Sequence, residues 1–343
     1  MKDSLRQESE KLARSWMRHE AGWLRDYLVA GVEDPRLNIQ SILSRHFVVR
    51  RVCGDRFGFL MEQEYRFAAV MNWLLSAAGK MSEIEELEAV LFGLRRGADD
   101  VEGMPIPPWA LQAFAALPVT VDDVGIPNYV ERFLTGARFA EGRLVPDTAC
   151  LDTFLVAWRE ALHGETVGSE GSKPSLVEPA CGSANDFRFL HAFGIARLID
   201  YTGFDLCATN VENARALFPS VRFQTGNVFE IAAADLAFDL CVVHDLLEHL
   251  SFEGLEAAVK EICRVTRRGI CAGFFQMDEI PQHVLRPVDE YHWNLLSMTG
   301  MKKMFYQHGF AAQALHIGSF LREIAGCDRT HNPNAYTFLL KRE

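Results

Sequence analysis

An α/β fold is predicted for residues 136–343, a mostly parallel sheet with helices on both faces, preceded by an all-α domain over residues 1–135. Three features carry this reading. Apolar residues recur at three- and four-residue spacing up to about residue 135, five short apolar runs follow Gly136, and helical stretches separate most of those runs. Strand and helix in alternation is the signature of right-handed crossovers between parallel strands.

The N-terminal helices show in LARSWMRHEAGWLRDYLVAGV (12–32) and YRFAAVMNWLLSAAG (65–79). Both repeat apolar residues at the period that fills one helix face. In MSEIEELEAVLFGLRR, Ser82 and Glu85 have the spacing of a capping box. Pro105, Pro107, Pro108 and Pro127 interrupt the pattern, because proline has no amide donor and disfavours helix in the residue before it. The aromatic residues Trp16, Trp23, Tyr65, Phe67 and Trp73 are read as core. A domain with such apolar faces is expected to cover the cleft of the following domain, to wall its acceptor site, or to form a homodimer contact.

After Gly136 a helix is expected over Asp147–Leu162, then an exposed loop in GETVGSEGSKPS (164–175). The strand-like runs are SLVEPA (175–180), RLIDYTGFD (197–205), VRFQTGN (221–227), AFDLCVVHD (237–245) and GICAGFF (269–275). NDFRFLHAFG, TNVENARALF and FEGLEAAVKEICRVT read as the helices between them.

A 343-residue chain with 49% hydrophobic residues buries a substantial core. Its 46 acidic and 35 basic side chains leave a formal charge of −11, which opposes a nucleic-acid partner. Residues 1–60 hold 11 Lys/Arg against 8 Asp/Glu, a modest excess that fits a solvated helix surface. Eight cysteines are scattered without a Cys-x-x-Cys pair, as expected for buried thiols in a reducing cytoplasm. The charged N-terminus and the lack of an apolar run of about 18 residues predict neither secretion nor a membrane span.

The chemistry is expected at the carboxyl ends of the strands, where ligands sit on parallel sheets. Glu178 closes the first strand, and Pro179, Ala180, Cys181, Gly182, Ser183 and Ala184 form a turn of small residues before the next helix. Such a turn lets a bulky ligand touch the backbone, and it lacks the lysine of a phosphate loop. Asp205 closes the second strand, where a carboxylate can accept hydrogen bonds from ribose hydroxyls. Asn227 closes the third, where an amide could meet an adenine edge.

This arrangement resembles the class I S-adenosylmethionine-dependent methyltransferases, over about residues 145–343. The resemblance extends to FDLCVVHDLLEHLS (238–251), which looks like the family's fourth strand and Glu-His turn. DEYHWNLLSMTGMKKMFYQHGF (289–310) is similar to the His-x-Asn-x-x-Ser stretch of many small-molecule members. It implies a Rossmann-like seven-stranded sheet, S-adenosyl-L-methionine as cofactor, and methyl transfer to a small-molecule acceptor, at oxygen. By the same resemblance Glu178, Ala180, Cys181, Gly182 and Ser183 border the methionine part of the cofactor. Asp205 and Leu206 border its ribose, Asn227 and Val228 its adenine, and His244 lies beside it. Ala180 and Ala184 stand where glycines are commoner in the family, and Asn227 where aspartate is. PACGS also occurs in adenine-specific DNA methyltransferases, but their Asn/Asp-Pro-Pro-aromatic motif is replaced here by VVHDLL.

A hydroxyl acceptor needs a base, expected among His244, Asp245, His249 and His292. If Asp245 opens a helix, Asp245, Glu248 and His249 share one face and would hold a divalent ion such as Mg2+, with His283 or His292 completing the set. The pattern resembles the Glu-x-x-Glu-His of small-RNA 2′-O-methyltransferases and ubiquinone-pathway O-methyltransferases, while metal-free relatives share the Glu-His. The rival readings are an RNA or protein methyltransferase, a non-catalytic protein that binds the cofactor, and a nicotinamide-dependent oxidoreductase. EPACGSA matches the Gly-x-Gly-x-x-Gly of the last poorly.

Overall fold

Glu178, Asp205 and His244 end three neighbouring strands on one edge of a seven-stranded sheet. The structure, a computed structural model, describes the chain apart from residues 18–33, 102, 124–132, 134–135, 141, 166–172, 328–331 and 333. Trp23, Pro127 and most of the Gly/Ser-rich stretch therefore lie outside the described residues.

The N-terminal region is helical as expected: α1 (Asp3–Met17), α2 (Ile39–Cys53), α3 (Gly58–Ala78), α4 (Ile84–Arg96) and α5 (Pro108–Asp123). Asn38 caps α2 by accepting the Ser41 N–H. At α4 Ser82 pairs with Glu86, whose carboxylate accepts both the Ser82 N–H and its hydroxyl. Glu85 is displaced from that role because the helix starts at Ile84, one residue later than the box spacing requires. Tyr65 and Phe67 are buried, and Trp73 packs partly buried against Trp109.

A short 3₁₀ turn capped by Asp147 leads into α6 (Thr153–Leu162). The sheet then alternates with helices: β1 (Ser175–Pro179), α7 (Phe187–Ala192), β2 (Asp200–Asp205), α8 (Ala208–Leu217), β3 (Arg222–Thr225), β4 (Phe238–His244), α9 (Phe252–Val265), β5 (Thr266–Phe274), α10 (Met298–Gln307), β6 (Phe310–His316), α11 (Ile317–Ala325) and β7 (Tyr336–Arg342). The strand order is β3-β2-β1-β4-β5-β7-β6, with only β7 antiparallel to its neighbours.

Strand alternation sends successive side chains to opposite faces. In β4, Leu240 and Val242 enter one hydrophobic cluster while Cys241 and Val243 enter the other. The first cluster also receives α2 to α8 and α11; the second receives α9, α10 and Leu5 of α1. Helix α2 lies along β5 and β7: Gln40 Nε2 donates to the Phe274 and Tyr336 carbonyls (3.1 and 2.8 Å), and Arg51 Nη2 to that of Leu340 (3.3 Å). All eight cysteines are free thiols, seven of them buried. Among the described residues no helix is long and apolar enough to cross a membrane.

Candidate active site

The turn after β1 is held by its own backbone. Cys181 N–H donates to the Phe204 carbonyl (3.1 Å), and Ala184 and Asn185 donate back to the Cys181 carbonyl (3.1 and 3.2 Å). Ala180, Gly182 and Ala184 all adopt left-handed backbone, with φ of 55°, 54° and 67°. That alternation folds the chain into a tight turn, and two of the three positions do it with a Cβ in place.

Glu178 is buried and accepts a 2.5 Å hydrogen bond from the Tyr201 hydroxyl. Gly203, paired with Glu178 across the parallel register, makes this possible, because a Cβ there would lie 2.8 Å from the phenol oxygen. Burial, then the Asp186 charge, pushes the Glu178 carboxyl well above the usual range. Asp205 accepts from the Gly182 N–H (2.9 Å), the Cys207 N–H (2.8 Å) and Asn210 Nδ2 (3.3 Å). Burial nonetheless raises its pKa. Leu206 is half-buried beside it. Ser183 Oγ lies 3.4 Å from Asn210 Oδ1 on α8.

Asn227 sits two residues past β3, its Oδ1 accepting the Phe229 N–H and its Nδ2 donating to Ser9 Oγ of α1 (2.7 Å). Val228 packs against the second cluster. The first helix thus reaches the strand end at which the resemblance places adenine.

His244 ends β4 with Nδ1 2.6 Å from Asp186 Oδ2. Its ring lies over Gly273 of β5, where a Cβ would approach it to 2.2 Å. Burial opposes charge on the imidazole, but the Asp186 carboxylate prevails and raises its pKa well above the ordinary value. His249 is arranged otherwise. Its Nδ1 meets the His292 main-chain carbonyl at 3.0 Å; a carbonyl only accepts, so the proton is on Nδ1 and the lone pair on Nε2. Burial holds this imidazole below its usual pKa. Phe275, Tyr291 and Trp293 surround it at centroid distances of 5.4, 5.7 and 5.5 Å. The His292 side chain is half-buried on a short ribbon paired with Pro287.

Asp245, Glu248 and His249 do not converge, and among the described residues no group of three or more His, Cys, Asp or Glu could hold a metal ion. The expected Mg2+ set fails because its helix does not form. Asp245 is left-handed (φ 49°) and only a 3₁₀ turn over Leu247–His249 follows, so the residues share no helix face. Glu248 Oε1 accepts the Phe275 N–H at 2.7 Å while His249 turns to His292. His283 spends its Nδ1 lone pair on the Ser297 N–H (3.1 Å).

Residues that sequence reasoning missed complete the site. Asp186 and Tyr201 are the partners of His244 and Glu178, and Phe275 and Trp293 flank His249. In the His-x-Asn-x-x-Ser stretch, buried Asn294 binds the Leu250 carbonyl (2.7 Å) and the Arg286 N–H (3.0 Å), while Ser297 caps α10 and binds the Ile280 carbonyl. This stretch fastens the segment after β5 over the end of β4.

The donor set fits a cationic nucleoside. Glu178, Asp205 and Glu248 are buried carboxyls with pKa raised by burial, Asp245 beside them is solvent-exposed, and among the described residues no lysine or arginine bonds to any of them. A phosphate would meet repulsion here, whereas a sulfonium with an ammonium group would relieve it.

Residues 177–272, running from β1 into β5, match the family model described as "Methyltransferase domain". This segment carries a methyltransferase domain. No curated protein matches its sequence. Solved structures similar to this methyltransferase include the PH0226 protein of Pyrococcus horikoshii OT3, 17% identical over 54% of this chain and 89% of that one, with a TM-score of 0.38. An S-adenosylmethionine-dependent methyltransferase of Mesorhizobium loti is 14% identical over 51% and 94% of the two chains (TM-score 0.38). One from Methanosarcina mazei is 13% identical over 50% and 93% (TM-score 0.37). A methyltransferase domain implies S-adenosylmethionine as its methyl donor.

Proposed function

We propose that the methyltransferase acts on the hydroxyl of a small molecule, with His249 as the base. The observation that carries this is the bond from His249 Nδ1 to the His292 carbonyl, which leaves Nε2 as acceptor. Among the described residues Nε2 has no hydrogen-bond partner. The lowered pKa keeps the ring neutral near pH 7, as a proton acceptor must be.

When bound, the cofactor supplies a methyl carbon made electrophilic by the attached cationic sulfur. Asp205 and Leu206 would hold its ribose, Asn227 and Val228 its adenine, and Glu178 with the 180–184 turn its amino-acid end, beside His244. The chain's own work is alignment and exclusion of water. Phe275, Tyr291 and Trp293, with the exposed apolar residues Val284, Leu285 and Val288, would form the acceptor wall. His249 Nε2 would take the hydroxyl proton as the oxygen attacks.

Residues 1–135 are read as a helical domain and 136–343 as the catalytic one, with α1 closing the adenine end through Ser9 and Asn227. His249→Gln tests the base. Turnover on a hydroxyl-acceptor panel should fall about 100- to 10,000-fold, with S-adenosylhomocysteine affinity by calorimetry unchanged. Undiminished turnover in that variant would remove His249 from the chemistry and leave the oxygen assignment without support.

A further inference from the structure

A cavity of about 570 Å³ lies between α2, α3 and the outer strands β6 and β7, away from the cofactor edge. Helix α2 runs across β5 from the Phe274 carbonyl, where Gln40 binds, toward Gly269, where a Cβ would lie 3.0 Å from Arg51 Nη2. Arg50 and Arg51 therefore stand near the amino end of β5, opposite the edge that carries Asp205 and His244.

The floor comes from one side of the outer strands. Ala311 pairs with Lys341 and Gln313 with Leu339, and these four line the cavity with Leu43, Phe47 and Tyr65. Two small or polar residues on the edge strand leave the sheet uncovered at the place where the helices end.

The charge here runs against that of the whole chain, whose formal value is −11. Arg50, Arg51 and Lys341 all line the space, where burial, then the charge of Arg268, lowers the pKa of Arg51. Among the described residues, Arg51, Arg268 and Lys341 form no ion pair. Arg50 donates to Met61 Sδ (3.3 Å) and, among the described residues, pairs with one carboxylate, the exposed Asp55 at 3.9 Å. A buried carboxylate behind the wall, Glu64, is already bound by Arg45 and His46. Like charges gathered with a single distant, exposed counter-charge beside apolar walls are complementary to an anion with an apolar body.

We propose that this cavity is a second binding site, for a small organic anion that carries a carboxylate or phosphate on an apolar body. It is separate from the methyl-transfer site and does not depend on how the acceptor there is assigned.

The test uses the full chain with octanoate and phenyl phosphate as probes, and the neutral octanol and phenol as controls, in ligand-observed NMR and calorimetry. The anions should bind at least about tenfold more tightly than the neutral analogues, since a charge-assisted hydrogen bond carries most of the difference. Lys341→Glu should weaken them by a similar factor, and Ala311→Phe should exclude them by filling the floor. S-adenosylhomocysteine should not compete, and its own affinity should be the same in both variants. The Lys341 side chain makes no hydrogen bond or ion pair among the described residues, so its variant tests charge without disturbing the fold. Absence of binding by either anion overturns the proposal. So does equal binding by both variants, or displacement of the anions by S-adenosylhomocysteine, which would locate them in the cofactor cleft.

Discussion

Glu8 of the first helix grips Ser251, accepting its N–H at 2.7 Å and its hydroxyl at 2.6 Å. Ser251 caps α9, so the carboxylate sits where the helix dipole favours negative charge. The contact lies just after the Glu-His turn and ties α1 across the site. Glu8→Ala should release α1 at a cost of about 1–3 kcal/mol, read as faster amide exchange confined to residues 3–17. Gly254→Ala should do the same, because its Cβ would lie 2.8 Å from Glu8 Oε1. Unchanged exchange in both variants would detach α1 from any part in closing the site.

Glu64 joins the N-terminal helices to α6. Its buried carboxylate accepts from Arg45 Nη2 (2.8 Å), His46 Nε2 (2.6 Å) and Trp158 Nε1 (2.6 Å). Against the cost of burial, Arg45 and then His46 hold its pKa down at about 2. Burial keeps His46 below its ordinary value as well. Both folded values are depressed, so the stability they contribute is present above the unfolded values and lost as pH falls through the folded ones. Glu64→Ala strands Arg45 and should cost about 3–5 kcal/mol by denaturant titration. Relative to the wild type, Glu64→Gln should flatten the loss of stability below about pH 4.5.

Glu248 has the opposite sign. Burial, then the Asp245 charge, raises it to about 8, and its Oε2 has no partner. A raised carboxyl contributes stability that is full below its unfolded pKa and lost as pH rises through the folded value. Glu248→Gln keeps the acceptor for the Phe275 N–H and cannot ionise. The variant should gain on the wild type between pH 4.5 and about 8, by on the order of 3–5 kcal/mol at the upper end. Parallel stability curves across that range would show that Glu248 titrates normally.

The sheet was legible because a buried parallel strand must be an unbroken apolar run, as in GICAGFF, and because polar residues close such runs, as Glu178 and Asp205 do. Local backbone was not. Glu248 and His249 share a face with Asp245 only on an α-helix, and nothing in HDLLEH announces a left-handed Asp245 followed by a 3₁₀ turn. Partners distant along the chain were equally hidden: Asp186 is 58 positions from His244, and His249 is held by a backbone atom 43 positions away. Spacing alone does not encode such pairs.

The turn after β1 stores strain that its sequence could shed. Left-handed backbone costs a residue with a Cβ roughly 1–2 kcal/mol, and Ala180 and Ala184 both adopt it. Ala180 is half-buried, so Ala180→Gly should stabilise the protein by about 1 kcal/mol in denaturant titration. Ala184 is fully buried, and removing its methyl loses roughly 0.8 kcal/mol of burial. Ala184→Gly should therefore be near neutral. Destabilisation by Ala180→Gly would mean that its methyl makes a contact worth more than the strain.

The pair of Asp186 and His244 links the turn to the end of β4, and removing the charge on one side separates its effects. With Asp186 present, the raised pKa keeps the imidazole protonated near neutral pH. The stability this contributes is complete below the unfolded value near 6.5 and is lost as pH rises through the folded one. Asp186→Asn retains a hydrogen-bonding group but no charge, so burial should win and His244 should become neutral. Its ring resonances in NMR should then show no protonated form at pH 7, whereas the wild type should. Because Asp186 begins the helix that follows the turn, the variant should also weaken S-adenosylhomocysteine binding while leaving the acceptor dependence of turnover intact. A wild-type His244 that titrates at its ordinary value would show that the 2.6 Å contact joins two neutral groups, and the turn would then be held by its backbone bonds alone.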